Sequence, residues 1–453
     1  MLPFKPLVPE SRDEALELGM ADTLVNRLSN IREMVVSPIS SVRRYGGLEQ
    51  DPLAAGRELG VEAVLDGTIQ RWGDRIRVTT RLLSVSDTKT LWVGQFDVNF
   101  TDIFEVQDSI SKRVADELAL RLTGEERELL SRRYTANVEA YELYLKGRFF
   151  WNQLRVESIM KAIGFFEEAI RKDPNYALAY AGLTDCYSRL PITSDVPSEE
   201  ALPKAKAAAL RALEIDGRLA EAHTALGWIK FFYDWDWEGS EIEHRRALEI
   251  SPNHSGAHMG YGTLLSCLGR HEEALGEMDR ALRLDPLSLI AGALKEQSLF
   301  LAQRYPQAID QLHRTLELNP NFWVAQLQLG RSYERVGRYE EALEALRRAR
   351  ESGGTTEALS LSGYTYAVSG RREEAERTLR ELRAISEQRY VPPYNVALVH
   401  YGLGNSDETL RWLERACEER DVHMVLLGVD PKWDALRDKP RFINLLARMK
   451  LLR

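Results

Sequence analysis

Few side chains in this sequence stand at spacings that do chemistry on their own. His254 and His258 lie four residues apart, as two imidazoles sharing a metal on one helical face would. His254, however, precedes the apolar helical pattern that His258 joins, and no third ligand follows, so no metal is expected. Cys186, Cys267 and Cys417 are far apart, odd in number and without a Cys-x-x-Cys pair. They read as buried free thiols, neither a disulfide framework nor a zinc site. The phosphate-cradling Gly-x-x-x-x-Gly-Lys-Ser/Thr, the dinucleotide Gly-x-Gly-x-x-Gly, His-Glu-x-x-His and Gly-x-Ser-x-Gly are all missing. The common catalytic routes are thereby removed, and the sequence predicts no enzyme and no cofactor. Glu272-Glu273 and Glu340-Glu341 are first-turn acids suited to a helix N-terminus, not an acid/base couple.

Two clusters offer binding instead. Arg75, Arg77 and Arg81 share the polar face of one alternating run, and Arg43-Arg44 lies in a loop nearby by chain order. Together they could hold a carboxylate or phosphate through bidentate contacts. The competing reading is a solvated sheet face with Gln95 and Asp97 as cross-strand partners. The second cluster is Trp228, Phe231, Phe232, Tyr233, Trp235 and Trp237, far denser in aromatics than the 9% of the whole chain. Such side chains anchor peptide interfaces, although aromatics at helical spacing also fill cores.

The elements that position these residues follow from length and period. At 453 residues, 44% of them apolar, the chain is too long for one core. Its 60 basic and 69 acidic side chains leave −9, the wrong sign for tracking a phosphate backbone, so no direct contact with nucleic acid is expected. No stretch approaches 18 consecutive apolar residues, and Met1–Glu10 lacks the basic end and apolar run of a signal peptide. A cytoplasmic placement follows, or a periplasmic one if a membrane helix precedes this segment in a longer parent. Met1-Leu2-Pro3-Phe4 reads like the tail of a strand whose beginning is missing, so the chain is expected to be a piece of something longer.

Internal repetition decides the larger part. Gly269-Arg270-His271-Glu272-Glu273-Ala274 returns 68 residues on as Gly337-Arg338-Tyr339-Glu340-Glu341-Ala342, with a weaker copy at Arg304–Ala308 between them, giving a period of 34. Pro252, Pro286 and Pro320 keep the same beat. Eight units are predicted, at 138–174, 175–217, 218–252, 253–286, 287–320, 321–354, 355–387 and 391–424, with a capping helix within 425–453. Each carries two amphipathic helical patterns and a turn, and stacking neighbours buries faces that one hairpin cannot. Pro191 to Pro203 reads as a loop inserted in unit two.

Leu329-Gly330, Tyr333, Gly337, Ala342 and Ala349, with Pro320 closing the unit before, resemble the tetratricopeptide repeat. Departures occur at Lys295-Glu296 in unit five, where Leu-Gly is usual, and at the insertion in unit two, and irregular stacking is expected at both. In tetratricopeptide units, positions 2, 5, 9, 12 and 13 of the first helix face a concave groove that takes a protein or peptide partner. The resemblance therefore places Trp228, Phe231 and Phe232 of unit three on that groove, with Arg331, Glu334 and Arg335 of unit six, Tyr364 of unit seven, and Tyr394 and Tyr401 of unit eight.

Residues 1–134 keep another rhythm. Glu14–Leu28 is helical and Glu33–Ile39 is a short β-rich run. Asp51 and Pro52 open a second helix before Gly60, Glu62–Arg71 and Arg75–Leu83 flank a turn at Trp72-Gly73-Asp74, Thr90–Asn99 alternates as a third strand, and Asp102–Leu122 is a further helix. The sum is a small α/β domain with a mixed sheet, followed by an all-α superhelical solenoid. Leu2-Pro3-Phe4, Leu18-Gly19-Met20-Ala21-Asp22, Asp66-Gly67-Thr68-Ile69 and Leu91-Trp92 resemble the amino-terminal domain of the translocation protein TolB. Paired with tetratricopeptide repeats, that domain is similar to a bacterial arrangement lying downstream of a winged helix, a serine/threonine kinase or a nucleotide cyclase. The resemblance implies a sensory module or scaffold that binds a partner segment, its output domain upstream of Met1. Oligomeric state and partner identity stay open.

Overall fold

The computed structural model describes residues 1–120, 122–130, 132–153, 156–353 and 355–452 of the chain. The unit boundary expected at Gly354 lies outside the described residues.

Alternation builds the sheet. Strand β1 (Lys5–Pro6) pairs parallel to β2 (Ala63–Trp72), and β2, β3 (Arg75–Ser84) and β4 (Thr90–Asn99) follow in antiparallel order, a four-stranded mixed sheet ordered β1-β2-β3-β4. Gly73, at φ 59°, turns β2 into β3 so that Trp72 faces Arg75. Ile76, Val78 and Leu82 are buried, in one core with Met20 and Leu24 of α1 (Glu14–Leu28) and Ile110 of a later helix.

The run expected as a strand at Glu33–Ile39 leads instead into a short helix, α2 (Ile39–Val42). Its backbone is satisfied elsewhere: the Asn253 side-chain amide donates to the carbonyls of Arg32 (3.1 Å) and Met34 (3.0 Å). In α3 (Pro52–Leu59), Asp51 caps the start by accepting from Leu53 N–H, and Gly60 ends it at φ 67°. The helix expected over Asp102–Leu122 is divided. α4 (Ile103–Glu117) stops before Ala119, which sits at φ 53°, and α5 (Gly124–Leu130) starts at the glycine expected to lie beyond the helix end.

Beyond it, the described residues form eight antiparallel helix pairs: α6 (Val138–Trp151) with α7 (Val156–Lys172), α8 (Ala177–Thr193) with α9 (Ser198–Ile215), α10 (Ala220–Ile229) with α11 (Trp237–Ile250), α12 (Ser255–Cys267) with α13 (His271–Leu284), α14 (Leu289–Leu301) with α15 (Tyr305–Leu318), α16 (Trp323–Arg335) with α17 (Tyr339–Gly353), α18 (Thr356–Val368) with α19 (Arg372–Ser386), and α20 (Pro393–Gly402) with α21 (Ser406–Glu418). Gly330 shows why small residues recur: a Cβ there would lie 2.5 Å from the Leu346 side chain, so anything larger pushes α16 off α17. Pro191 and Pro203 do not bound a long loop, since both lie inside helices. Burial of Leu190, Pro191 and Leu202 carries α8 and α9 through them. Nor does α14 break at Lys295-Glu296: Lys295 pairs with Asp279 at 2.7 Å, and the Ser332 hydroxyl donates to Glu296 at 2.8 Å.

The last helix, α22 (Pro440–Arg448), is shorter than expected and follows two tight turns, Val422–Leu426 and Pro431–Leu436. This tail does more than cover the last pair, because it turns into the array. Trp433, fully buried, meets Tyr394 and Tyr401 at ring separations of 5.6 and 4.9 Å. Trp237 of unit three donates its indole N–H to the Met449 carbonyl at 2.7 Å, and the Arg420 guanidinium lies 4.2 Å over the Trp235 ring. Asp195, after α8, accepts from Thr356 N–H of unit seven at 2.9 Å. The solenoid thus curls until its two ends meet. The sheet domain docks on the same array through Asp22 with Arg148 (2.8 Å) and through Ser40 and Ser41 with Asp285. Among the described residues no helix is long and apolar enough to cross a membrane.

Candidate functional site

Curling the first helices inward encloses a cavity of about 590 Å³. Its wall is made of α1, the Val36–Ser40 segment, the first helices of units one to seven and the tail around His423. Counted from each first helix's start, the lining side chains fall mostly at positions 2, 5, 9 and 13: Leu178, Ala181, Asp185 and Arg189 in unit two, Glu221, Thr224, Trp228 and Phe232 in unit three, Gln297 at position 9 of unit five. Trp228 and Phe232 stack at 5.4 Å with 10° between their planes, a half-buried aromatic wall. Phe231 is nearly fully buried and packs edge-on to Trp237, so it belongs chiefly to the core.

The other expected groove residues meet a different fate. Arg331, 5% exposed, pairs with Asp430 at 2.9 Å and covers the Phe300 ring at 4.6 Å. Lys432 sits 4.7 Å over Tyr364, which stacks on Tyr401, and the Trp433 indole N–H donates to the Tyr394 hydroxyl at 3.2 Å. Glu334 is buried, and that burial raises its carboxyl, with Lys432 and Arg335 working against the rise. Arg335 lies over Tyr305. These six therefore do not form an open partner surface. They sit on the inner side of their helices, but the chain's own Asp421–Leu436 occupies it.

His423 is the tail's electrostatic anchor. Burial works against its charge, yet Asp421 (2.8 Å) and Glu357 (3.5 Å) outweigh it and hold the imidazolium well above its ordinary range. At the other end of the cavity Asp185 is pushed up to about 6 by burial, against the pull of Arg148 and Arg189 and with the help of Glu221 and Asp22.

The arginine cluster of the sheet does not converge on a ligand. Arg75 and Arg77 clamp Asp97 at 2.5 and 2.6 Å, Arg81 is held by Asp66 at 2.9 Å, and Arg44 pairs with Glu58, while Arg43 is exposed at the end of α2. Four of the five guanidiniums are answered from within the domain. His254 and His258 are likewise committed: the His254 ring accepts from Ala257 N–H at 2.9 Å, and His258 lies between Glu277 (2.6 Å) and the Pro252 carbonyl (2.9 Å). All three cysteines are free and buried.

Sequence reasoning missed Asp185, Arg189, Glu221, Gln297 and Gln328. The first four stand at inward positions that the repeat count already marks.

A family model of the tetratricopeptide repeat matches residues 299–363. The putative adenylate cyclase 3 of Rhizobium meliloti is 30% identical over 239 residues, which is 51% of this chain and 40% of that protein. The transcriptional regulator HilA of Salmonella typhimurium is 28% identical over 159 residues, 35% of this chain and 29% of that protein. The chain thus spans less than half the length of either relative. A tetratricopeptide-repeat protein of Parabacteroides merdae, at 16% identity and TM-score 0.42, covers 59% of this chain and 98% of its own. The chain is mostly helical, a tetratricopeptide-like solenoid behind a small four-stranded sheet, with the repeat itself matched at residues 299–363.

Proposed function

We propose that the chain is a non-enzymatic binding module of a bacterial regulatory protein, with recognition along the inner wall of its first five units. One observation carries the reading: most of the cavity wall comes from that stretch, whereas the inward side chains of units six to eight are largely taken up by the chain's own tail. The regulatory setting draws on two relatives, one named a putative adenylate cyclase and the other a transcriptional regulator, each matched over part of its length. In this reading the amino-terminal sheet is a TolB-like domain and the output domain lies upstream of Met1. A winged helix would make the parent a transcriptional regulator, and a kinase or cyclase domain would make it a signalling enzyme.

Site-specific photo-crosslinking in cells tests the surface. A crosslinking residue replacing Trp228 on the inner wall is expected to trap a partner protein, and one replacing the exposed Ile242 of α11 is not. Equal trapping at both positions, or none at Trp228, would overturn the assignment.

A further inference from the structure

If the inner wall is the recognition surface, its charges say what it recognises. Most charged groups on the cavity are already answered: Arg148 by Asp22, Arg331 by Asp430, His423 by Asp421 and Glu357. Two are not. Among the described residues, neither the Arg189 guanidinium nor the Glu221 carboxylate has an ion-pair or hydrogen-bond partner. The Arg189 guanidinium carbon lies 4.7 Å over the Trp151 ring, a contact that uses none of its N–H groups, so a bidentate contact with a carboxylate stays open to it. Beside it, the Ser188 hydroxyl is buried without a partner. Glu221 lies in the first turn of α10. Both charges act on Asp185, Arg189 lowering its pKa and Glu221 raising it, so they flank one carboxyl rather than standing at opposite ends of the array.

The rest of the wall is apolar or amide. Trp228 and Phe232 supply the aromatic surface, and Gln328, 7% exposed, leaves its carbonyl oxygen without a donor. A volume of about 590 Å³ falls within the roughly 300–1,000 Å³ of small-molecule sites. Charges without a direct ion pair in a mostly apolar enclosure are costly until a closer counter-charge arrives, and one of each sign calls for a ligand carrying both.

We propose that this cavity binds a small zwitterion, an α-amino acid or a short peptide with free termini. Arg189 takes its carboxylate, Glu221 its ammonium, and Trp228 and Phe232 its apolar side chain. The proposal rests on the inner wall being the recognition surface and goes further by naming the ligand class.

Calorimetric titration of the full chain tests it, with two probes: free phenylalanine, and the tripeptide Gly-Phe-Gly in free, N-acetylated and C-amidated forms. At least one free probe is expected to bind, and which one distinguishes an amino acid from a peptide as the source. Blocking either end of the bound probe should weaken it at least about tenfold, the usual worth of a charge-assisted contact. Glu221→Gln should erase the difference between ammonium and acetylated forms, and Arg189→Gln the difference between carboxylate and amidated forms. The blocked probes on the unaltered chain give the same answer if a variant fails to fold. No heat with any free probe at millimolar concentration, or blocked forms binding as tightly as free ones, would overturn the proposal. Trapping at Trp228 alongside that negative result would leave inner-wall recognition standing and remove only the ligand class.

Discussion

The inner walls of units two to five and of units six to eight are built from the same positions of the same repeat, yet the first borders a cavity throughout, while the second reaches it only through Trp323–Arg331 and Glu357 and is otherwise covered by the chain's own tail. Position 9 is Asp185 in unit two, Trp228 in unit three, Arg331 in unit six and Tyr401 in unit eight. The first two line the cavity with no tail residue paired to them, while Arg331, at the cavity's edge, is tied to Asp430 and Tyr401 packs on Trp433. The repeat decides which side chain faces inward. Whether that side chain is a site depends on what arrives to meet it, and here the tail engages position 9 in units six and eight.

The tail's hold should be the largest measurable difference between the halves. Arg331→Met takes from Asp430, a fully buried carboxylate, its direct ion pair, leaving Lys432 and the more weakly acting Arg335. Removing one partner of a buried pair costs about 3–5 kcal/mol, whereas replacing both with apolar groups of similar volume is close to neutral. Urea unfolding is therefore expected to show a large loss for Arg331→Met and recovery in the double variant with Asp430→Leu. A single variant as stable as the parent would mean that the tail is held by its aromatic contacts alone.

A smaller effect distinguishes two carboxyls within the lined half by pH. Glu296, wholly buried in α14, has one oxygen without a partner. Burial, offset only in part by Ser332 and Arg331, pushes its carboxyl up to about 8 from an ordinary 4.5. Between those values the folded chain keeps a proton that the unfolded chain has released, so this group's contribution is greatest below 4.5 and is lost as pH rises through 8. Asp185, beside the cavity, is raised only to about 6, and its loss is complete near that pH. Melting temperatures measured from pH 5 to 8.5 should fall less steeply for Glu296→Gln than for the parent. Asp185→Asn should flatten only the acid end. Parallel curves for parent and Glu296→Gln would show that the carboxyl is ionised in the fold and that unit five tolerates a buried charge.

What was legible in the sequence was local or periodic. The period of 34, the small residue at Gly330 facing Leu346, and the turn at Gly337 with φ 77° are set within one unit, so a single copy of the pattern suffices to infer them. The inward positions were legible for the same reason. The tail's return to unit three was not, because Trp237 reaches Met449 across 212 residues and nothing in either segment alone specifies the other. The segment after α1 failed likewise: its strand-like composition is real, but its carbonyls bind Asn253 of the array and not a neighbouring strand. In the sheet, the cross-strand pairing of Arg77 with Asp97 follows from the β3–β4 register. That register was available from the alternation and argued against an anion site.

The smallest expected effect lies where the two halves join. The turn between first and second helices places Gly269, Gly337, Gly370 and Gly404 at φ 76° to 84° in units four, six, seven and eight, but unit five has Gln303 at φ 58°. Gln303 is exposed, and its backbone N–H donates to the Phe300 carbonyl at 2.8 Å, so its side chain gives no evident return for a left-handed backbone. That conformation costs a residue with a Cβ roughly 1 kcal/mol, part of which glycine returns as chain entropy in the unfolded state. Gln303→Gly should therefore raise stability by somewhat under about 1 kcal/mol in urea unfolding, and Gly337→Gln should lower it by a similar amount. Matching magnitudes would show that turn chemistry is independent of which half a unit belongs to, leaving the tail as the source of the difference between the walls. A loss for Gln303→Gly would instead give that side chain a part in joining the lined half to the filled one.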